Sequence, residues 1–109
     1  MRIAPNPPMG PVAAILAECA LPSEDIRPEH LQHFYLADEA SGPIGVAGLQ
    51  CLGSSGLVRS VAVRPTHRSQ GAGQQLLAAV EAHARQLGLQ TLYLLTKDAQ
   101  SYFARHGYQ

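Results

Sequence analysis

The chain has 109 residues, 46% of them hydrophobic and 15% charged, a length that predicts one domain spanning residues 1–109. Eight Lys and Arg balance eight Asp and Glu, which excludes capture of DNA or RNA by a broad basic face and leaves any anion site local. The apolar content excludes a wholly disordered chain.

Arg2–Ala4 reads as a short edge strand. Four prolines between Pro5 and Pro11 argue against regular structure there, because each lacks an N–H donor and fixes φ. After Pro11, Val12, Ile15, Leu16 and Cys19 fall at helical spacing, and Leu21-Pro22-Ser23 stops the helix. Ser23–Ile26 is a turn, and Pro28 opens a second short helix through Leu31. Phe34–Ala37 is a strand, Asp38–Pro43 a turn, Ile44–Leu52 a strand weakened by Gly45 and Gly48, and Gly53-Ser54-Ser55-Gly56 another turn. Leu57–Val63 is the best strand in the chain, and Pro65 ends it. Between Gly71 and Gly88, Leu76, Leu77, Val80, Ala84 and Leu87 form one apolar stripe of a long helix. Gly88 suits the stop position. Leu89–Leu95 is a further strand, and Ala99–His106 reads as a short helix closed by Gly107. The Gly-rich turns imply antiparallel hairpins, whereas the long helix implies a right-handed crossover between parallel strands. The expected fold class is α+β (an α/β mixed sheet with helices packed on it).

Cys19 and Cys51 form no CxxC pair and have no His at metal spacing, so both are expected to be buried, reduced thiols with no metal site, the alternatives being a disulfide or a soft-metal ligand. No apolar run reaches the roughly 20 residues that span a bilayer. Pro5, Pro7 and Pro8 occupy the place of a signal-peptide apolar segment. The expectation is a cytoplasmic protein with no membrane partner.

The chemically informative stretch is Val61-Ala-Val-Arg-Pro-Thr-His-Arg-Ser-Gln-Gly-Ala-Gly-Gln-Gln. A strand ends, a basic polar loop follows, and two glycines open a helix. The first turn of a helix presents unpaired N–H groups and partial positive charge. Gly71 and Gly73 let a phosphate approach the backbone, and Arg68 adds a full charge. A plain strand-to-helix turn with a solvated arginine would also fit the two glycines. No Gly-Lys-Ser/Thr follows them, so a P-loop is excluded, and the third glycine of a dinucleotide fingerprint would fall at Leu76.

Arg68-Ser-Gln-Gly-Ala-Gly resembles the (Gln/Arg)-x-x-Gly-x-(Gly/Ala) motif of the GNAT N-acetyltransferases. Val61-Ala-Val-Arg-Pro before it, and Leu92-Tyr-Leu-Leu-Thr and Ala99-Gln-Ser-Tyr-Phe-Ala-Arg-His-Gly-Tyr after it, continue the likeness from Leu57 to Tyr108. The resemblance implies a GNAT-like fold; that family usually continues past Gly107-Tyr108 into one or two more strands and this sequence stops at Gln109, so the expectation is a chain cut short, a sheet completed by another subunit, or a smaller sheet without the last strand or strands. It implies acetyl-CoA as co-substrate, with the pantetheine arm along Val61, Ala62 and Val63 and near Thr96. The diphosphate would lie on Arg68, Ser69, Gln70, Gly71, Ala72, Gly73 and Gln74. The activity implied is transfer of an acetyl group to the amine of a small polar molecule by direct attack on the thioester. The alternative is a catalytically degenerate acyl-CoA-binding sensor or interaction module. A nucleotide-binding domain unrelated to acetyl transfer is a third, weaker reading.

Phe103 stands where many members of that family carry a Tyr as the thiolate's acid, and Tyr102 is one place away. No general acid or base declares itself: Asp38 and Glu39 fall in a turn, and His67 reads as a surface residue. Arg59, inside its strand, is either a salt-bridge partner or an exposed strand residue, or else a guanidinium that fixes an anionic substrate head group. Leu21-Pro-Ser-Glu-Asp-Ile, Leu57-Val-Arg-Ser and Phe103 also resemble an arsenic-resistance-linked subgroup of the family. That likeness would turn Arg59, and Cys51 with it, toward the acceptor. An open sheet edge predicts a homodimer.

Overall fold

The computed structural model describes residues 1–68, 70–95 and 102–106. Six strands form one sheet in sequence order: β1 (Arg2–Pro5), β2 (Phe34–Glu39), β3 (Gly42–Leu52), β4 (Ser55–Val63), β5 (Thr91–Leu95) and β6 (Tyr102–His106). All neighbours are antiparallel except β4 and β5, which are parallel. The parallel pair is joined through helix α2 (Ala72–Gln86), as a crossover connection requires. Helix α1 (Met9–Glu18) and a 3-10 helix (Pro28–His33) lie between β1 and β2.

Alternation along the strands sorts the core onto two faces. Tyr35, Ala37, Ala47, Leu49 and Val58 pack with Leu76, Val80 and Ala84 of α2. Phe34, Leu36, Val46 and Ala62 pack with Val12, Ile15 and Leu16 of α1 and with Leu31 of the 3-10 helix. Both clusters are fully apolar, so their burial is driven by area removed from water rather than by directed bonds.

Helix α1 begins at Met9, before Pro11, because the first helical N–H groups have no intrahelical acceptor and a proline there forfeits nothing. β2 runs on through Asp38 and Glu39, so the connection to β3 is shorter than the Asp38–Pro43 turn expected. Leu87, placed in the apolar stripe, is exposed at the end of α2, where the chain turns through left-handed Gly88. The expected helix over Ala99–His106 is corrected by β6: Tyr102–His106 pairs antiparallel with Thr91–Leu95. The aromatic pair at its start favours a pleated strand, and the otherwise unpaired edge of β5 supplies a ladder.

Candidate active site

The register along β4 leaves part of one strand edge unpaired among the described residues. β4 pairs with β5 only from Ser55 to Val58. On its other side the pairing with β3 steps from Gly48↔Arg59 to Val46↔Ala62, so Ala47 faces two β4 residues. Ser60 is the extra residue, held at φ +57°, and such a bulge bends its strand. Side-chain parity confirms the slip: Val58, Val61 and Val63 all pack on the α2 face, and Ala62 packs on the α1 face. Beyond Val58, the edge of β4 that faces β5 therefore has no strand partner among the described residues. Its backbone groups can accept an extended, amide-bearing ligand as an added strand would be accepted. Val61, Ala62 and Val63 line this stretch.

That edge ends at Val63, close to the start of α2. Gly71 adopts a left-handed conformation (φ +85°) that delivers the chain into the helix, and no side chain caps that end. A Cβ placed on Gly71 would meet nothing within 4 Å, and one on Gly73 would meet only Val63 Cγ2 at 3.9 Å. The space over these amides is open, which suits a diphosphate approaching main-chain nitrogens. Ala72 is buried beneath the turn, whereas Gln70 and Gln74 are exposed. Arg68 Nε donates to the Val63 carbonyl at 3.1 Å, and its Nη2 lies 3.9 Å from Cys19 Sγ. The guanidinium is thus anchored across the end of β4, between the Val63 carbonyl and Cys19. Ser69 and Thr96 lie outside the described residues.

Arg59 lies on the α1 face, at the wall of a cavity of about 540 Å³ that His33, Phe34 and Cys51 also line. Its Nη2 is 2.6 Å from Asp25 Oδ2, and its Nε donates to Ser60 Oγ at 3.2 Å. Asp25 and Arg59 also wall an adjoining hollow of about 280 Å³ with Leu57 and Ser60. Phe34 fits here because Gly48 pairs with it across β2 and β3; a Cβ on Gly48 would fall 2.4 Å from the ring. Behind the cavity lining, His33 Nδ1 is 2.9 Å from His83 Nε2, and His83 Nδ1 is 3.1 Å from the Tyr35 hydroxyl; neither His83 nor Tyr35 lines the cavity itself. Burial, with His33 adding to it, lowers the pKa of His83.

Several expectations are revised. Cys19 is buried, but Cys51 is exposed at the cavity, and neither is in a disulfide. Cys51 falls beyond the end of β2, where β3 loses its neighbour. Desolvation raises its thiol pKa, which keeps it in the unreactive protonated form at neutral pH. Asp38 and Glu39 are half-buried strand residues, and Glu39 lies 3.2 Å from the Met1 ammonium. Asp25, His33, His83 and Tyr35 went unread as site residues. The two histidines are fifty positions apart, and no local pattern pairs them. Among the described residues no helix is long and apolar enough to cross a membrane, and no cluster of His, Cys, Asp and Glu could hold a metal ion.

Residues 30–109 match the family model described as an acetyltransferase (GNAT) domain. Among curated proteins the chain is 32% identical over 89 residues to an amino-acid acetyltransferase of Ectopseudomonas mendocina, and 33% identical over 89 residues to that of Azotobacter vinelandii. Each match covers 80% of this chain and 21% of the relative, so the chain spans about a fifth of those proteins' length. Among solved structures, a Mycobacterium tuberculosis protein in complex with CoA superposes with a TM-score of 0.74 at 23% identity, covering 92% of this chain and 67% of that one. N-acetylglutamate synthase of Neisseria gonorrhoeae, complexed with coenzyme A and L-arginine, gives 0.75 at 24% identity, covering 89% of this chain and 24% of that one. These two likenesses establish the fold. The matched model covers most of the chain and agrees with the open helix start, so the chain belongs to the GNAT acetyltransferase family.

Proposed function

We propose that the chain is a single acetyltransferase domain that uses acetyl-CoA to acetylate the amine of a small polar molecule, an amino acid by class. The observation that carries this reading is the open backbone at Gly71–Gly73 at the end of the unpaired stretch of β4. The diphosphate would rest on the amides at the start of α2 with Arg68 beside them, and the pantetheine arm would extend along Val61, Ala62 and Val63. The thioester would then lie near the bulge at Ser60, next to Arg59. A carboxylate-bearing acceptor would replace Asp25 as partner of the Arg59 guanidinium, whose planar fork suits bidentate pairing. The amino-acid acetyltransferases among the relatives support that acceptor class over the arsenic-linked one. Ser69 and Thr96 complete the proposed cofactor contacts by resemblance. We place the protein in the cytoplasm, and its sheet edges at β1 and β6 support a homodimer, to be checked by light-scattering mass.

The second reading, an acyl-CoA-binding module without turnover, is favoured by Phe103 at the position of the family's acidic Tyr. Thiol release from acetyl-CoA, measured with a panel of amino acids and simple amines, separates the two. Transfer predicts amine-dependent CoA formation that is greatest with amino acids. Saturable CoA binding with no amine-dependent thiol would overturn it.

A further inference from the structure

We propose that His33 is the group that takes the proton from the acceptor's ammonium, with His83 and Tyr35 as positioning residues behind it; this rests on the acetyl-transfer reading above. His33 lines the same cavity as Arg59, so an acceptor held at Arg59 shares a chamber with the imidazole. His83 Nε2 stands 2.9 Å from His33 Nδ1, and the Tyr35 hydroxyl stands 3.1 Å from His83 Nδ1. When His33 Nδ1–H donates to His83 Nε2 and His83 Nδ1–H donates to the Tyr35 oxygen, His33 Nε2 keeps its lone pair as a proton acceptor. An imidazolium formed at His33 retains its Nδ1–H bond to His83 Nε2. The N···N contact requires one bare nitrogen, so both rings cannot be cationic while the bond stands. Desolvation disfavours charge on His83, which leaves the added proton on the ring that lines the cavity.

The surrounding groups are compatible with this role. Glu29 from the 3-10 helix lines the same cavity and favours a cation. Asp25 and Arg59 offset each other through their 2.6 Å contact. Cys51 from β3 is neutral as a thiol. His30 also lines the cavity, but its Nδ1 accepts the Arg27 N–H at 3.0 Å and its side chain stands exposed, with no second side chain bonded to that ring nitrogen. In the reaction, R–NH3+ gives one proton to His33 Nε2, and R–NH2 adds to the thioester carbonyl. The C–N bond forms, the C–S bond breaks, and the CoA thiolate takes the second proton from the acetylated nitrogen. His33 then returns its proton to water.

The test is the pH profile of kcat/KM at saturating acetyl-CoA for the wild type, His33→Asn and Tyr35→Phe, with CoA affinity and melting temperature measured alongside. Asn retains a hydrogen-bonding group near Nδ1 but cannot take up the proton. His33→Asn is expected to lower kcat/KM roughly 100-fold and to move the acidic limb up to the titration of the acceptor's own ammonium, with CoA affinity unchanged. Tyr35→Phe is expected to keep the limb and move its midpoint. An unmoved acidic limb in an active His33→Asn enzyme overturns the proposal and leaves the transfer reading standing. If His33→Asn does not fold, unmoved limbs in both Tyr35→Phe and His83→Asn overturn it. A wild type that releases no CoA with any amine overturns both readings.

Discussion

Arg59 Nη2 lies 2.6 Å from Asp25 Oδ2, so the guanidinium that lines the cavity with His33 and Phe34 is already paired with a carboxylate of the chain's own. Asp25 is more than half exposed, and an ion pair this wet adds little to stability, about 0–1 kcal/mol. The pair therefore has more consequence for ligand access than for folding. Arg59→Ala is expected to raise the acceptor KM at least roughly 10-fold, the loss of a charge-assisted bond of about 1.5 kcal/mol, with acetyl-CoA affinity unchanged. Asp25→Asn is expected to lower that KM, because the competing carboxylate loses its charge. Steady-state kinetics on both variants checks this; equal loss of acceptor and acetyl-CoA binding in Arg59→Ala would contradict the assignment.

Gly73 offers a separation of stability from binding. Its Cβ position is open apart from Val63 Cγ2 at 3.9 Å, and Ala exceeds Gly in helix propensity by up to about 1 kcal/mol. Gly73→Ala is expected to leave the fold as stable or more so, yet to weaken CoA binding by filling the approach to the amides. Urea unfolding and calorimetric titration on the same sample would show the two effects moving apart. Gly71, at φ +85°, would instead lose stability on the same change, because a side chain there is strained.

Gly48 makes room for Phe34, whose ring lines the cavity at Arg59. Its missing Cβ would lie 2.4 Å from Phe34 Cζ, and Phe34 is a buried member of the α1-side core. Gly48→Ala is expected to destabilise by roughly 1–3 kcal/mol through overpacking. Pairing it with Phe34→Leu should recover part of that loss, which a double-mutant cycle in urea measures as a coupling energy.

His83 gives a pH dependence whose sign is fixed by its environment. Burial and the neighbouring His33 hold its folded pKa below the ordinary value of 6.5. In the window between those two values the unfolded chain binds more protons, so stability rises with pH. The contribution is fully present above 6.5 and is lost as pH falls through the lowered value. His83→Gln should flatten the dependence of the urea midpoint between pH 8 and pH 5 relative to the wild type; an identical slope in the variant would contradict it.

Much of the fold was legible because it is written at short range. The strand at Leu57–Val63, the stripe Leu76, Val80 and Ala84, and Gly88 as helix stop each announce themselves within a few residues. The loop Arg68–Gly73 was legible for the same reason: a strand end, two glycines and a helix start are contiguous. What escaped depends on pairing between distant segments. The bulge at Ser60 exists only as a register step against β3, and β6 forms where a short helix was expected because β5 offers an edge. Asp25 reaches Arg59, and His33 reaches His83, across a fold that no local period encodes.

The proposed acetyl-CoA site requires main-chain nitrogens at the start of α2 to hold a diphosphate. Amide chemical-shift mapping, with CoA and with pantetheine added separately, tests this most directly. The Gly71, Ala72, Gly73 and Gln74 amides are predicted to show the largest shifts with CoA and to stay near their starting positions with pantetheine. CoA that binds while those four amides remain unmoved would contradict the claim.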